Sequence, residues 1–305
     1  QMAAEAVAAA FDFPAHLLTY MRERHRLDGE AADTLARAER RLYRPWRDVI
    51  RAAYPELGPD AVALRQLAVL TAMAAIAGRS QSLPRPRLDR LVVDSMVAVL
   101  AVPPVPVGPR PERATGWSLP PTRRERILAE ALRLFRERGY HGVGMDEIGL
   151  AAGLSGPTIY SSYDSKAEML VDAFDRVAGR ASAAAHDAVA GAASASDALD
   201  RLAASYLDIA ADNGDLVLVT SREAAVLVGA DRRRLARRHG EVLGTWAAVL
   251  RELRPTLDDR AVRAVVSGVL PLMSQMAYAL GDPGEGVPLV RAWCLGPKRR
   301  PLTLV

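Results

Sequence analysis

Apolar positions recur at helical spacing through most of this chain. Between 122 and 135, Ile127, Leu128, Ala131, Leu132, Leu134 and Phe135 fall on one stripe, which predicts an amphipathic helix. Thr122 and Glu125 in front of it have the T-x-x-E spacing of a capping box. Gly139 stands where a helix closes on a left-handed residue. A second short helix opens at Gly144, with Asp146 and Glu147 in its first turn, where acidic groups meet free N–H donors. Met145, Ile148 and either Ala151 or Ala152 are expected to face inward; Gly153 ends this helix, and Leu154 is expected as a buried turn residue. Ser155 then caps a third short helix that tolerates Pro157 in its first turn, with Ile159 and Tyr163 packed at i and i+4. Ser165 and Glu168 read as a second capping box, opening a long helix through Lys166, Met169, Leu170 and Phe174.

The flanking regions are helical too. Leu64, Leu67, Ala68 and Thr71 run at helical spacing behind Pro59, and 259–280 reads the same way, with Pro271 expected to kink it. These two stretches belong to an internal repeat at an offset of 200 residues. Leu35-Ala36-Arg37 matches Leu235-Ala236-Arg237; Trp46, Val49, Pro55 and Leu57 match Trp246, Val249, Pro255 and Leu257; Ala61-Val62, Val69-Leu70 and Met73 match Ala261-Val262, Val269-Leu270 and Met273. Between the copies, the stretch 101–121 holds seven prolines and cannot continue a helix. It predicts an extended, semi-rigid connection.

Composition agrees with helices. Half of the residues are apolar but only 5% are aromatic, and strand-like alternation is hard to find, so an all-α fold is expected. The single cysteine, Cys294, excludes an intrachain disulfide and a Cys-based zinc site, and suits a cytoplasmic location. No basic-then-apolar leader opens the sequence, and the windows 61–78 and 91–107 are interrupted by charge or turn residues, so no membrane span is expected. The five histidines lack metal-ligand spacing, and no phosphate loop or nucleophile elbow is present. No cofactor, metal site or catalytic residue is expected. A net charge of +4 permits a nucleic-acid partner without requiring one. The Arg232–Arg234 cluster with Arg237 and Arg238 reads as a solvated helix face, and 297–305 as a basic tail.

Two short helices joined by a glycine-containing turn form a helix-turn-helix, whose second helix enters the major groove of double-stranded DNA. Its open face shows Gly156, Thr158, Tyr160, Ser161 and Ser162. Helix N-termini bring free N–H groups to phosphates, so Ser155 belongs to that surface. The stretch 127–170, above all Gly-Leu-Ser-x-Pro-Thr-Ile-Tyr at 153–160 and the Ser165-Lys166 opening, resembles the DNA-binding domain of the TetR family. The resemblance implies that Thr158, Tyr160 and Lys166 hold phosphates, that Gly156, Pro157 and Ser161 lie near bases, and that Arg123 and Arg124 flank the DNA. The sequence departs from the family at Gly144, where Thr or Ser is usual, and at Ser162-Tyr163, where His-Phe is usual. From 122 to 166 there are seven basic and six acidic side chains, so this unit is nearly neutral.

The resemblance extends to the flanks. Residues 171–296 resemble the family's helical regulatory domain, and 1–101 resembles a first copy of it, with 102–121 as linker and 122–170 as the helix-turn-helix domain. The implied protein is a ligand-responsive regulator, a repressor by the family's habit. Its two regulatory copies form a pseudo-dimer within one chain, through 59–77, 86–100, 259–280 and 287–295. A further homodimer stays open. Tyr206, Trp246, Met273 and Met276 are candidates to line a pocket for a small apolar or amphipathic effector. The other reading is a ligand sensor or scaffold that does not bind DNA.

Overall fold

A computed structural model describes residues 2–13, 19–20, 27–77, 83–104, 121–154, 156–280 and 286–297, and every regular element among them is helical. In chain order these are α1 (Met2–Asp12), α2 (Gly29–Ala53), α3 (Pro59–Ala77), α4 (Arg85–Leu100), α5 (Arg123–Arg138) and α6 (Met145–Ala151). A 3₁₀ turn (Gly156–Ser161) follows, then α7 (Lys166–Ala190), α8 (Ala195–Asp212), α9 (Gly214–Glu223), α10 (Gly229–Leu253), α11 (Asp259–Leu280) and α12 (Gly286–Leu295). The all-α expectation holds. Most of the proline-rich stretch, 105–120, and the tail from 298 lie outside the described residues.

Two apolar cores organise these helices. The smaller joins α5, α6, the 3₁₀ turn and the start of α7 through Ile127, Phe135, Ile148, Ile159, Tyr163, Met169 and Leu170. Each such side chain contributes roughly 1.5–3 kcal/mol by leaving water. The larger core gathers α3 and α4 with α8, α10, α11 and α12. α7 spans both: Met169, Leu170 and Ala173 serve the small core, and Ala181, Ala185 and Ala188 the large one. The boundary expected at residue 170 therefore falls inside one continuous helix.

The 200-residue offset reappears in backbone detail. α2 and α10 start and end 200 residues apart. Gly29 and Gly229 both open their helices at positive φ, +48° and +58°. Tyr54 and Arg254 close them at −135°/70° and −133°/65°, each N–H donating over 2.8 Å to the carbonyl four residues back. α3 lies along α11 in the most extensive helix contact among the described residues, and α4 packs on α12. At the α3–α11 crossing Gly268 is needed for space: a Cβ there would stand 2.7 Å from the Trp293 ring and 3.3 Å from Ala72 Cβ. Trp293 is held by its indole N–H, which donates over 2.9 Å to the Val265 carbonyl. Arg87 of α4 and Asp258, just ahead of α11, add an exposed ion pair at 2.6 Å. α11 continues through Pro271, which lacks the N–H for one rung of the helix ladder.

By length and composition α3 could cross a bilayer, yet more than half of its apolar window is buried in the protein. Cys294 is buried as well, and that burial pushes its thiol pKa up to about 12, so it is unreactive at neutral pH.

Candidate DNA-binding surface

Among the described residues, the caps that frame the helix-turn-helix are those its sequence predicts, with one exception; the cap expected at Ser155 lies outside them. Thr122 and Glu125 close a reciprocal box: the Thr122 N–H donates to Glu125 Oε2 over 2.7 Å, and the Glu125 N–H to Thr122 Oγ1 over 3.3 Å. Gly139 and Gly153, both at φ +72°, end α5 and α6. Gly144 offers no side chain, but its N–H donates to Glu147 Oε2 over 2.7 Å. That bond and the ion pair with Arg138 hold the Glu147 carboxyl below its usual pKa. The exception is the second box. Ser165 Oγ accepts from the Glu168 N–H over 3.2 Å, but the Glu168 carboxylate turns back to the Asp164 N–H over 2.7 Å. Between the two inward candidates, Ala152 is half-buried and Ala151 exposed; Leu154 is half-buried rather than buried.

Packing aims the reading turn. Ile159 and Tyr163 are buried beneath it, and α6 faces Ile159 at Gly149, where a Cβ would make ordinary contact at 3.5 Å. Tyr160 stands 50% exposed, and Ser161 is exposed with its hydroxyl bonded to the Thr158 carbonyl at 2.8 Å. Thr158 is half-buried. Gly156 and Pro157 form the first turn; Ser155 lies outside the described residues.

Two of the expected cations, Arg124 at the flank and Lys166 at a phosphate, are occupied inside the unit. The Arg124 guanidinium lies 3.8 Å above the Tyr163 ring and donates to the Ser162 carbonyl, to Glu168 over 3.0 Å and to Asp172 over 3.1 Å. Lys166 donates to the Tyr140 and Val143 carbonyls over 2.7 and 2.6 Å, and burial lowers its pKa. Two of its three ammonium protons are thereby used on the turn that follows α5. Arg123 is exposed and makes no ion pair among the described residues. Arg126, one turn on, is equally exposed and is a cation that the motif alone does not single out. Its signal was the i, i+3 spacing from Arg123.

Also unforeseen is the cluster behind the turn. Tyr163 donates its hydroxyl to Asp172 over 2.6 Å, and Asp172 also accepts from Arg124 and Arg176. Burial works to raise the Asp172 pKa, but these donors outweigh it and hold the carboxyl below its ordinary value. Burial and the Asp172 hydrogen bond push Tyr163 the other way, keeping it a neutral donor.

The remaining expected residues lie elsewhere. Tyr206, Trp246, Met273 and Met276 are packed in the large core; only Tyr206 shows a polar contact, with its hydroxyl 3.3 Å from Ser274 Oγ. The arginine cluster on α10 is more than a solvated face, since Arg234 and Arg238 reach Asp175 of α7 at 2.6 and 3.8 Å. Among the described residues no group of three His, Cys, Asp or Glu side chains is placed to hold a metal ion.

A capped helix, a short helix, a glycine turn and a reading turn on one small core define a helix-turn-helix DNA-binding unit. Residues 127–173 match the model of "Bacterial regulatory proteins, tetR family", and this unit of the chain belongs to that family. Over 54 residues the chain is 43% identical to the HTH-type transcriptional activator FasR of Mycolicibacterium smegmatis; the match covers 18% of this chain and a quarter of FasR. The TetR family regulator PfmR of Thermus thermophilus aligns at 22% identity and TM-score 0.49, over 57% of this chain and all of that one. A tetR-family regulatory protein from Rhodococcus RHA1 aligns at 16% identity and TM-score 0.49, over 59% and 100%.

Proposed function

We propose that this protein is a ligand-responsive transcriptional regulator, and a repressor, that acts in the cytoplasm on operator DNA through residues 144–163. The observation that carries this reading is the reading turn itself. Tyr160 and Ser161 are displayed, Ile159 and Tyr163 are anchored beneath them, and Arg124 clamps the far end at the Ser162 carbonyl. Direct contacts then fall to Gly156, Pro157, Thr158, Tyr160 and Ser161, with Ser155 at the N-terminus and Arg123 at the phosphates. Lys166 keeps one proton for a phosphate. Arg124 serves the surface by holding its shape.

The regulatory part is a pseudo-dimer of two copies, 1–101 and 171–296, joined by 102–121. Register, matching helix ends and the α3–α11 and α4–α12 contacts support it. One helix-turn-helix reads one half-site; a second half-site about 34 Å away needs a second reader. The effector is a small apolar or amphipathic molecule entering beside Tyr206, Trp246, Met273 and Met276, with the Tyr206–Ser274 pair as its polar handle. α9 is suited to carry the signal, since Leu216 and Val219 lie in the small core and Val217 in the large one.

A gel-shift series on fragments flanking the protein's own gene tests this. Binding that weakens steeply with salt and is lost in Tyr160→Ala supports it; indifference to that substitution at low salt refutes it. Transcription from the bound fragment gives the sign of regulation, which matters because the matched FasR is an activator. The near-neutral charge of 122–166 and the internal use of Arg124 and Lys166 favour a second reading, a sensor that binds no DNA.

A further inference from the structure

α2 and α10 carry the same apolar register, but among the described residues only α10 is covered along it; α2 meets Tyr20 beside the stripe, whose hydroxyl donates to Glu39 over 2.5 Å and accepts from Tyr43 over 3.2 Å. Val242, Trp246, Val249 and Leu250 on α10 are all at most 7% exposed. At the matching places on α2, Ile50 is buried on α3, Trp46 is half-buried, and Leu42 and Val49 are 63% and 51% exposed. The helix that covers α10 is α7. At the N-terminal half of α10, Val171, Phe174 and Asp175 close over Asp231, Arg234, Leu235 and Arg238 and leave a void of only about 10 Å³. The four residues 200 positions earlier, Ala31, Thr34, Leu35 and Ala38, form with Glu30 an open strip along one helix, with no second element facing them among the described residues.

We infer that the open face of α2, from Ala31 to Val49, is a docking site for one amphipathic helix with the chemistry of α7. Such a helix has bulky apolar side chains in its leading turns, then alanines at three- and four-residue spacing. Leu35, Ala38, Leu42 and Val49 repeat at intervals of three, four and seven, the spacing of a helix-packing seam. The bulky turns lie on this strip, as Val171 and Phe174 lie on α10. The alanine stripe lets the backbone approach Leu42 and Trp46, as Ala181, Ala185 and Ala188 let α7 approach the large core. The charge requirement differs between the faces. α10 presents Arg234 and Arg238 to Asp175, whereas α2 has Thr34 and Ala38 there. The occupant of α2 therefore carries no carboxylate at that point, since it would be desolvated without a partner. This inference rests on the duplication reading, because the repeat supplies the register.

The test is a fluorescein-labelled peptide with the sequence 166–190, bearing Asp175→Ala, titrated by anisotropy against the whole chain. Isolated helices of this length are marginal, so a lactam between Ala183→Lys and Asp187, both on the exposed side of α7, holds it helical. Saturable binding is expected. It should weaken at least tenfold in the chain variant Leu42→Lys/Val49→Lys, whose exposed sites leave the fold intact by circular dichroism. It should also weaken when the peptide keeps Asp175. No saturable binding, binding indifferent to the double variant, or a homodimer that the double variant dissolves while the peptide stays unbound would each overturn the inference. A bifunctional maleimide spanning Arg87→Cys and Asp258→Cys reports the pairing of the copies separately, the buried Cys294 being inert. Crosslinking without peptide binding sinks the docking site alone; failure to crosslink sinks the duplication reading.

Discussion

Trp46 and Trp246 occupy the same place in two copies of one pattern, and their surroundings differ. Trp246, on a helix packed against α7 and α8, is 2% exposed, while Trp46 rests half-buried on a helix packed mainly on α3. The difference teaches that an amphipathic stripe specifies a helix and the side it wants buried, but not the partner that buries it. The largest expected effect breaks this comparison directly. Trp246→Ala should cost about 3–5 kcal/mol in urea denaturation, the usual loss for a buried aromatic, and Trp46→Ala well under half as much. Equal costs would mean that α2 is already covered in solution.

The α3–α11 contact sharpens the comparison next. Gly268→Ala should destabilise by about 1–3 kcal/mol, because the added Cβ meets a ring fixed by its own hydrogen bond and cannot be absorbed cheaply. Ala68, its counterpart on α3, already carries that Cβ. A neutral Gly268→Ala midpoint would show that α3 and α11 do not pack this closely.

The helix-turn-helix differs from the large core in leaning on a charge cluster. The Asp172 carboxyl is depressed in the folded state, so its contribution is fully present above the unfolded carboxylate pKa of about 3.9 and disappears as pH falls through its lower folded value. Amide exchange of the reading turn should therefore accelerate in acid more than that of α11. In Asp172→Asn this extra acid sensitivity should vanish; its persistence would place the titrating group elsewhere. The smallest effects concern caps. Thr122→Ala should cost about 1 kcal/mol, and Gly144→Ser should gain a few tenths, both readable as shifts in the thermal midpoint.

Much of this is legible in the order of residues. The Thr122–Glu125 box, the glycine ends of α5 and α6, and burial of Ile159 and Tyr163 follow from spacing, because capping and periodicity act within a few residues. The loyalties of long side chains are not legible. Lys166 reads as a phosphate ligand and Arg124 as a flank of the DNA, yet each finds carbonyl acceptors 23 to 38 residues away in sequence. Glu168 chose the Asp164 N–H over that of Ser165 for a related reason, since its other oxygen is held by Arg124.

The sequence by itself determined an all-α chain, a capped helix-turn-helix and a register repeated after 200 residues, since each depends on short-range geometry. Tertiary structure decided which cations are tied up inside the unit, which apolar faces are covered, and that α3 and α11 share one core with Gly268 at their crossing. These depend on which distant helix arrives at a given face, and a charge or an apolar stripe is the same in sequence whether it meets a partner or water.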